Sequence, residues 1–304
     1  MGAPMAANLE RAGFSVRSFD TNGTGNRTSV RDAARGAEAL ITMLPDGRAV
    51  RDAVLEALPA LGAGTVVIDM SSSDPASTLA LLPALEAKSI SLVDAPVSGA
   101  IAKAKDGTLA IMIGGETSDV QRIGDVLKAM GRELFHVGPL GAGHAVKALN
   151  NSLGAAGTLA GFEVLRVARA FGLDPRPMLE AINASTGRNS TTERKIPQQV
   201  LTGAFASGFK LALMAKDVGI AAGLARDLGV SAPYLEKTLQ LWRAAQKALP
   251  RDADHTEIYR FLEQLRPRRA VAAGTRSPSR AGYARRSNSR RRQRRSTAPA
   301  VRRR

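Results

Sequence analysis

Short apolar runs alternate with longer amphipathic stretches along the first half of the chain, and this pattern predicts strands and helices in turn. The apolar runs are nearly continuous, as in strands that are buried on both faces of a sheet. They predict strands at Ser15–Phe19, Ala39–Met43, Thr65–Asp69, Ser91–Asp94 and Ala110–Ile113. Strands of this kind separated by helices are typical of a doubly wound α/β fold with a mostly parallel sheet.

Helices are predicted between these strands and throughout the second half, where strand-like runs vanish. The helix predicted at Gly143–Phe171 would be roughly 42 Å long, which is enough to bridge two domains. We therefore expect an α/β domain at residues 1–142 and an all-α domain at residues 143–265. The other predicted helices are Ala3–Ala12, Ala49–Leu58, Pro75–Ala87, Ser118–Met130, Pro175–Ala184, Ala212–Leu228, Ala232–Ala248 and Thr256–Leu265.

Polar and turn-forming residues follow several of the predicted strands at their carboxyl ends. They are Asp20, Leu44-Pro45, Ser71–Ser73 and Asp94–Gly99. Each group is also compatible with ordinary turn chemistry. Because ligands of doubly wound sheets bind beyond the carboxyl ends of the strands, the recurrence of such groups favours a ligand crevice.

A glycine-rich passage, Gly138–Asn151, leads directly into the long predicted helix, which carries Lys147 near its start. Asn151 lies four residues later and therefore on the same helix face. An ammonium beside an amide donor suits protonation of a carbonyl or alkoxide oxygen. Most helical lysines are solvated surface residues, so the indication depends on the surrounding motif.

The first twenty residues predict a helix, a turn at Gly13 and a strand that ends in Asp20. This order is that of the second half of a Rossmann βαβ unit. A first strand and the first two glycines of G-x-G-x-x-G would precede it, and Gly2 would be the last glycine of that motif. We therefore expect an N-terminally truncated Rossmann-type sheet.

Composition excludes several classes of protein. The chain has 304 residues, of which 44% are hydrophobic, and it contains no cysteine, so disulfide scaffolds and thiolate metal sites are excluded. We see no signal-peptide pattern and no apolar run of the ~18–20 residues that a membrane span needs. We expect a soluble, cytoplasmic protein without a membrane or metal site.

The formal charge of +16 resembles that of a nucleic-acid-binding protein, but its distribution changes this interpretation. Residues 266–304 contain 15 arginines and no acidic residue, which leaves 28 basic against 27 acidic residues in 1–265. A segment of this composition is expected to be disordered. It is either a phosphate-binding arm or an unselected extension of the reading frame. We favour the extension, with only non-specific nucleic-acid contact.

Four motifs follow one another along the chain: MGAPMAANL at the start, Asp69–Pro75, Asp94–Gly99 and Gly141–Asn151. Together they resemble the motifs of the β-hydroxyacid dehydrogenases, most closely the 3-hydroxyisobutyrate dehydrogenases and 2-hydroxy-3-oxopropionate reductases. MGAPMAANL at the start is similar to the end of that family's glycine-rich motif, without its first strand. The resemblance covers residues 1 to about 265, and it includes the pair Lys216-Asp217.

The resemblance implies catalytic and substrate-binding roles. Lys147 would be the general acid/base, and its pKa would have to fall toward neutrality. Asn151, with Asn150 beside it, would orient this lysine or the substrate. The substrate carboxylate would be bound by Ser98, Gly99 and Ala100. Ala100 stands where the family has glycine. If a positive φ is needed at this position, the alanine would narrow the contact with the substrate carboxylate.

The resemblance also implies a nicotinamide cofactor. Asp20 would accept hydrogen bonds from the ribose hydroxyls and repel a 2′-phosphate, so NAD is expected over NADP, although Arg27 nearby leaves NADP possible. The partners implied are a small hydroxyacid or semialdehyde substrate and further copies of the chain in a homodimer or homotetramer. The expected cofactor-binding residues are Gly2, Met5, Asp20, Leu44, Pro45, Ser72 and Lys216.

Two alternative functions remain open at this point. One is a catalytically impaired, dehydrogenase-like scaffold that binds nucleic acid through its arginine-rich tail. Lys147, Asn151 and Ser98 argue against it, because a scaffold needs none of them. The other is a 6-phosphogluconate-type dehydrogenase, which we disfavour because additional basic groups for a substrate phosphate are not apparent. The sequence does not name the substrate.

Overall fold

The computed structural model describes residues 1–265 of the chain. Met1–Gln264 forms one compact unit. The predicted arginine-rich tail, residues 266–304, lies outside the described residues.

The strands form one sheet in the order β1-β2-β3-β5-β4, and β6 pairs with β5. β1, β2 and β3 are parallel to one another, as are β5 and β6. The pairings of β3 and β4 with β5 are antiparallel. The parallel-dominated, doubly wound sheet predicted from the sequence is thus confirmed. The strands are β1 (Ala39–Thr42), β2 (Val66–Asp69), β3 (Ser91–Asp94), β4 (Val97–Ser98), β5 (Leu109–Gly114) and β6 (Gly131–Gly138).

Helices cover both faces of this sheet. The side chains of a strand point alternately to its two sides, so apolar strands need packing partners on both. All four residues of β2 are buried. Val66 and Ile68 pack in one hydrophobic cluster with α1 and α8, and Val67 packs in another with α3 and α5. The helices of this half are α1 (Gly2–Arg11), α2 (Val30–Ala34), α3 (Gly47–Ala57), α4 (Pro75–Leu79), α5 (Leu82–Glu86), α6 (Ala100–Asp106), α7 (Thr117–Arg122) and α8 (Gly124–Met130).

The helix expected at Pro75–Ala87 is divided into α4 and α5. Pro83 lies in the first turn of α5, where its missing N–H is tolerated, and it could not continue an uninterrupted helix. The helix expected at Ser118–Met130 is likewise divided, at Ile123.

The strand expected at Ser15–Phe19 was a wrong prediction, because this segment has no regular secondary structure. Its local hydrogen bonds join it to the following loop, from Arg27 N–H to Ser18 O and from Asn26 to Val16 O. An apolar run becomes a strand only when a neighbouring strand satisfies its backbone groups. Within residues 1–265 no strand pairs with it.

The second half is helical, as predicted, around a separate hydrophobic cluster whose buried members lie between Ala155 and Leu262. The buried members of the other two clusters all precede residue 131. This separation supports the proposed domain division at residue 142, which stays a prediction. The helices are α9 (Ala142–Phe171), α10 (Pro175–Asn183), a π-helix (Thr191–Val200), α11 (Leu211–Asp227), α12 (Pro233–Ala248) and α13 (Ile258–Gln264).

The long helix α9 has 30 residues and lies between two glycines in the left-handed region, Gly141 at φ 91° and Gly172 at φ 94°. Glycine adopts such angles without the steric cost that a Cβ imposes. Among the described helices, none is long and apolar enough to cross a membrane.

Candidate active site

Lys147 is the sixth residue of α9, and its side chain is only 9% exposed. Burial lowers its pKa, Lys216 lowers it further, and the carboxylate of Asp217 opposes both effects. Within the described residues, no side chain forms a hydrogen bond with its ammonium. A desolvated lysine with an unoccupied ammonium can exchange a proton with a bound oxygen nearer to neutral pH than a surface lysine can.

Asn151 lies one turn after Lys147 and is held by a buried carboxylate. Its Nδ2 donates to Oδ2 of Asp217 over 2.6 Å, and Asp217 is only 2% exposed. The exposed Asn150 donates from Nδ2 to Oδ1 of Asn151 over 3.1 Å. Asp217 was not predicted as a site residue. A charged residue within the apolar run of α11, directly after Lys216, was the signal that could have indicated it.

Lys216 on α11 reaches across to the carboxyl edge of the sheet. Its ammonium donates to the carbonyl oxygen of Pro45 over 3.0 Å and to that of Ser72, and it lies 3.2 Å from Oδ1 of Asp217. The structure therefore brings together three residues that were predicted separately as cofactor ligands. Leu44 belongs to the same group, because its N–H donates to Oγ of Ser71 over 2.9 Å.

Asp69, at the end of β2, organises the polar loop that follows it. Oδ1 accepts from the Thr42 hydroxyl over 2.8 Å and from the Ser71 N–H over 3.0 Å. Oδ2 accepts from the Ser73 hydroxyl over 2.8 Å. The carboxylate is 1% exposed, so these donors replace the water that burial removes.

Asp94, at the end of β3, holds the start of α9. Its two carboxylate oxygens accept the N–H groups of Gly141 and His144, each over 2.7 Å. Burial raises the pKa of Asp94, whereas His144 and these N–H groups lower it. A carboxylate at a helix N-terminus is favoured by the helix dipole and by the otherwise unpaired N–H groups.

Two glycines allow this close approach. A Cβ at Gly114 would lie 2.3 Å from Oδ1 of Asp94, and one at Gly143 would lie 2.4 Å from the carbonyl oxygen of Met112. The packing of α9 on the sheet thus requires glycine at Gly143, just before Lys147, and at Gly114, the last residue of β5.

The predicted carboxylate-binding residues lie where β4 joins α6: Ser98 ends β4, Gly99 precedes α6 and Ala100 is its first residue. Gly99 has φ 141° and Ala100 has φ 57°, so Ala100 adopts the left-handed conformation that favours glycine. Ser98 is half-buried. The side chain of Lys103 packs directly over Gly99, where a Cβ would lie 2.6 Å from it. Lys103 was not predicted, because its proximity depends on the turn geometry.

The remaining predicted cofactor residues lie at or near α1. Gly2 is the first residue of α1, and a Cβ there would lie 3.7 Å from Met43, beside the end of β1. Met5 packs its side chain in the core and is 2% exposed, so only its backbone could face a ligand. Asp20 is exposed, and one of its oxygens accepts the N–H of Asn22 over 2.8 Å.

These residues fit a dinucleotide. The unpaired N–H groups that begin α1, next to a residue without a side chain, suit a pyrophosphate. The loop carbonyls of Pro45 and Ser72 are already fixed by Lys216. An exposed carboxylate at Asp20 suits ribose hydroxyls.

Comparison with known proteins agrees with this geometry. Residues 1–138 match the NAD-binding domain of 6-phosphogluconate dehydrogenase, and residues 141–262 match the NAD-binding domain of NADP-dependent 3-hydroxyisobutyrate dehydrogenase. The 2-(hydroxymethyl)glutarate dehydrogenase of Eubacterium barkeri is 34% identical over 87% of this chain and 92% of its own length. The NAD-dependent L-serine dehydrogenase of Pseudomonas aeruginosa is 33% identical, over 86% of this chain and 95% of its own length.

A solved structure extends the similarity to the fold. The 3-hydroxyisobutyrate dehydrogenase of Mycobacterium tuberculosis, determined with L-serine, has a TM-score of 0.80 and 32% identity, with 86% of this chain and 95% of that chain covered. Sequence and fold agree over both halves of the described chain. The protein therefore belongs to the β-hydroxyacid dehydrogenase family, the NAD(P)-dependent oxidoreductases that include 3-hydroxyisobutyrate dehydrogenase.

Proposed function

We propose that this protein interconverts a small β-hydroxyacid and its semialdehyde, with NAD as the preferred cofactor and Lys147 as general acid/base. The observation that carries the proposal is the buried Lys147, whose pKa burial lowers and whose ammonium is unoccupied, beside the Asn151–Asp217 pair. The nicotinamide supplies the hydride acceptor or donor when it is bound. The residues of the chain supply position, charge and the proton.

In the oxidation direction, neutral Lys147 accepts the hydroxyl proton of the substrate as the carbonyl forms. In the reduction direction, its ammonium returns that proton to the developing alkoxide. Asp217 fixes the Asn151 amide through one oxygen, so the amide has a defined orientation toward the lysine or the substrate. Asp217 also lies close enough to favour the charged form of Lys147, which keeps the general acid available.

The substrate carboxylate would be bound where β4 joins α6. The Ser98 hydroxyl and the backbone N–H groups of Gly99 and Ala100 would donate to it, and Lys103 adds a positive charge close to Gly99. Three compounds named for relatives, 2-(hydroxymethyl)glutarate, L-serine and 3-hydroxyisobutyrate, each carry a primary alcohol β to a carboxylate, whereas a further relative is named for 3-sulfolactaldehyde. We propose that substrates of this chain share that pair of groups.

Turnover of 3-hydroxyisobutyrate, L-serine and 2-(hydroxymethyl)glutarate with NAD tests this proposal. Lys147→Ala should lower kcat by about 10²–10⁴ for any substrate that is turned over, as expected for the loss of a general acid/base, while NAD binding persists. Lys128→Ala is the matched control, because that lysine is exposed on α8. Near-normal turnover by Lys147→Ala, or no turnover of any β-hydroxyacid by the unmodified chain, would contradict the proposal.

We also propose that copies of the chain associate through α9. Several large apolar side chains on this helix are exposed, with Leu153 78% and Val167 69% exposed. Leu153→Glu should therefore lower the molar mass measured by light scattering. The cytoplasmic location, and a purely non-specific contact of residues 266–304 with nucleic acid, stay part of the proposal.

A further inference from the structure

His144 is a buried histidine that the proposed chemistry does not use. It lies three residues before Lys147 on α9, which places the two side chains on neighbouring turns of one helix face. His144 is only 1% exposed. It lies where α9 meets the carboxyl edge of the sheet.

The imidazole lies between the carboxylates that end β2 and β3. Its Nε2 is 3.5 Å from Oδ2 of Asp69, and its Nδ1 is 3.7 Å from Oδ2 of Asp94. Nδ1 also lies 2.9 Å from the Thr78 hydroxyl on α4. When this hydroxyl donates to Nδ1, the proton of a neutral imidazole is on Nε2, which faces Asp69 but has no hydrogen-bond partner among the described residues.

The two carboxylates belong to different parts of the site. Asp69 accepts hydrogen bonds from the loop Ser71–Ser73, at the edge of the sheet where the cofactor is expected to bind. Asp94 accepts the N–H groups at the start of α9, the helix that carries Lys147. His144 contacts both. Its ring therefore joins the loop after β2 to the turn of α9 that precedes Lys147. Among the described residues, no group of three His, Cys, Asp or Glu is arranged to hold a metal ion.

We propose that His144 is a positioning residue, which couples the cofactor-binding edge of the sheet to Lys147 by fixing the first turns of α9 against Asp69 and Asp94. The role rests on the proposed function only in that Lys147 is the general acid/base. Its physical content, the placement and dehydration of the Lys147 ammonium, is measurable without turnover.

The direct test measures the pKa of Lys147 in the full chain. The lysines are ¹³C-dimethylated, and NMR monitors the titration. The groups that face Lys147 from α11, Lys216 and Asp217, remain unchanged in every variant. His144→Ala should raise the pKa of Lys147 toward the ordinary lysine value, because a loosened start of α9 admits water to the ammonium. His144→Gln, which places an amide beside Asp69 in the position of the imidazole, should restore most of the native Lys147 titration.

Two further variants keep the test decisive. Thr78→Val removes the partner of Nδ1 with little change of volume, and it should shift the Lys147 titration in the same direction but less. It decides the question if His144→Ala does not fold. His136→Gln is the control, because that histidine lies on β6 and its Nε2 is 2.9 Å from the Gly115 carbonyl oxygen, and within the described residues it forms no hydrogen bond or ion pair with Asp69 or Asp94. An unchanged Lys147 titration in folded His144→Ala or Thr78→Val, or an equal shift in His136→Gln, would overturn the proposal.

Kinetics then separate this proposal from the proposed function. Misplacement of a catalytic group by about 1 Å costs on the order of 10² in rate, so kcat of His144→Ala should fall by about that factor while the Kd for NAD changes little. If kcat falls without a change in the Lys147 titration, His144 acts by another route and the inference is wrong. If the unmodified chain turns over no β-hydroxyacid, the proposed function fails, whereas the Lys147 titration still decides the role of His144.

Discussion

The buried His255 should make the stability of this protein fall measurably in mild acid. Its residue is only 5% exposed, its ring stacks on Trp242 at 6.4 Å between centroids, and its Nδ1 lies 2.9 Å from the Ser207 hydroxyl. Burial and the nearby Lys195 lower the pKa of His255 to about 4, against the opposing effects of Asp254 and the Phe209 carbonyl.

The magnitude follows from the difference between the folded and unfolded pKa values. The ordinary histidine value is 6.5, so between pH 6.5 and about 4 the unfolded chain takes up a proton that the folded chain does not. The contribution of His255 to stability is therefore complete above pH 6.5 and is lost as the pH falls to 4. At about 1.4 kcal/mol for each pKa unit, the loss amounts to about 3 kcal/mol in the free energy of unfolding.

Urea denaturation at several pH values between 7 and 4 measures this loss. Trp242 is the one tryptophan of the chain and is fully buried, so its fluorescence follows unfolding. His255→Phe keeps an aromatic ring against Trp242 but cannot be protonated, and its stability should fall by about 3 kcal/mol less over this range. His136→Gln serves as the control. Parallel pH profiles of the unmodified chain and His255→Phe would refute the reasoning.

Three further outcomes are expected. Burial lowers the pKa of Lys195 to about 8 from 10.5, so the free energy of unfolding rises as the pH rises from 8 to 10.5. Lys195→Met should abolish that rise and, by the same conversion, increase the free energy of unfolding at pH 7 by about 3 kcal/mol, measured by urea denaturation. Ala100→Gly should stabilise the fold by about 1 kcal/mol, because it removes the steric cost of φ 57°, and an unchanged Tm would contradict this. Asp20→Ser should weaken NAD and improve NADP binding in fluorescence titrations, and equal affinities of the unmodified chain for both cofactors would argue against the role of Asp20.

Local patterns were sufficient to predict much of this fold. The apolar periodicity predicted α9 within one residue of its start, and α11 and α12 within one residue at each end. The run Thr65–Asp69 predicted β2 because strands buried on both faces are continuously apolar. In each case the residues that decide the structure are close together in the sequence.

The misses depend on distant partners. Ser15–Phe19 has a strand-like composition but lacks a neighbouring strand within the described residues. β6 was not predicted, because most of its residues are exposed and polar residues interrupt its apolar pattern. The π-helix Thr191–Val200 was not predicted, because it contains Pro197 and a proline inside a segment argues against a regular helix.

The site was predictable to the same extent. The motif around Lys147 and the strand-end loops predicted where the chemistry lies, and that prediction stays untested. Asp217 and His144 were missed because their significance comes from contacts with residues 66 and 50 positions away along the chain. A buried polar residue in a helix looks the same in the sequence whether it faces a catalytic group or the interior of a bundle.

The reach of Lys216 also has a consequence for protein engineering. The lysine that fixes the loops of Pro45 and Ser72 belongs to α11, so the nucleotide half of the chain does not contain everything that shapes its own binding edge. A chimaera that joins residues 1–142 to the helical half of another dehydrogenase would inherit its loop clamp from the donor. An exchange of helical halves that is meant to alter substrate choice should therefore also change cofactor affinity. The exception is a donor with a lysine at the position of Lys216.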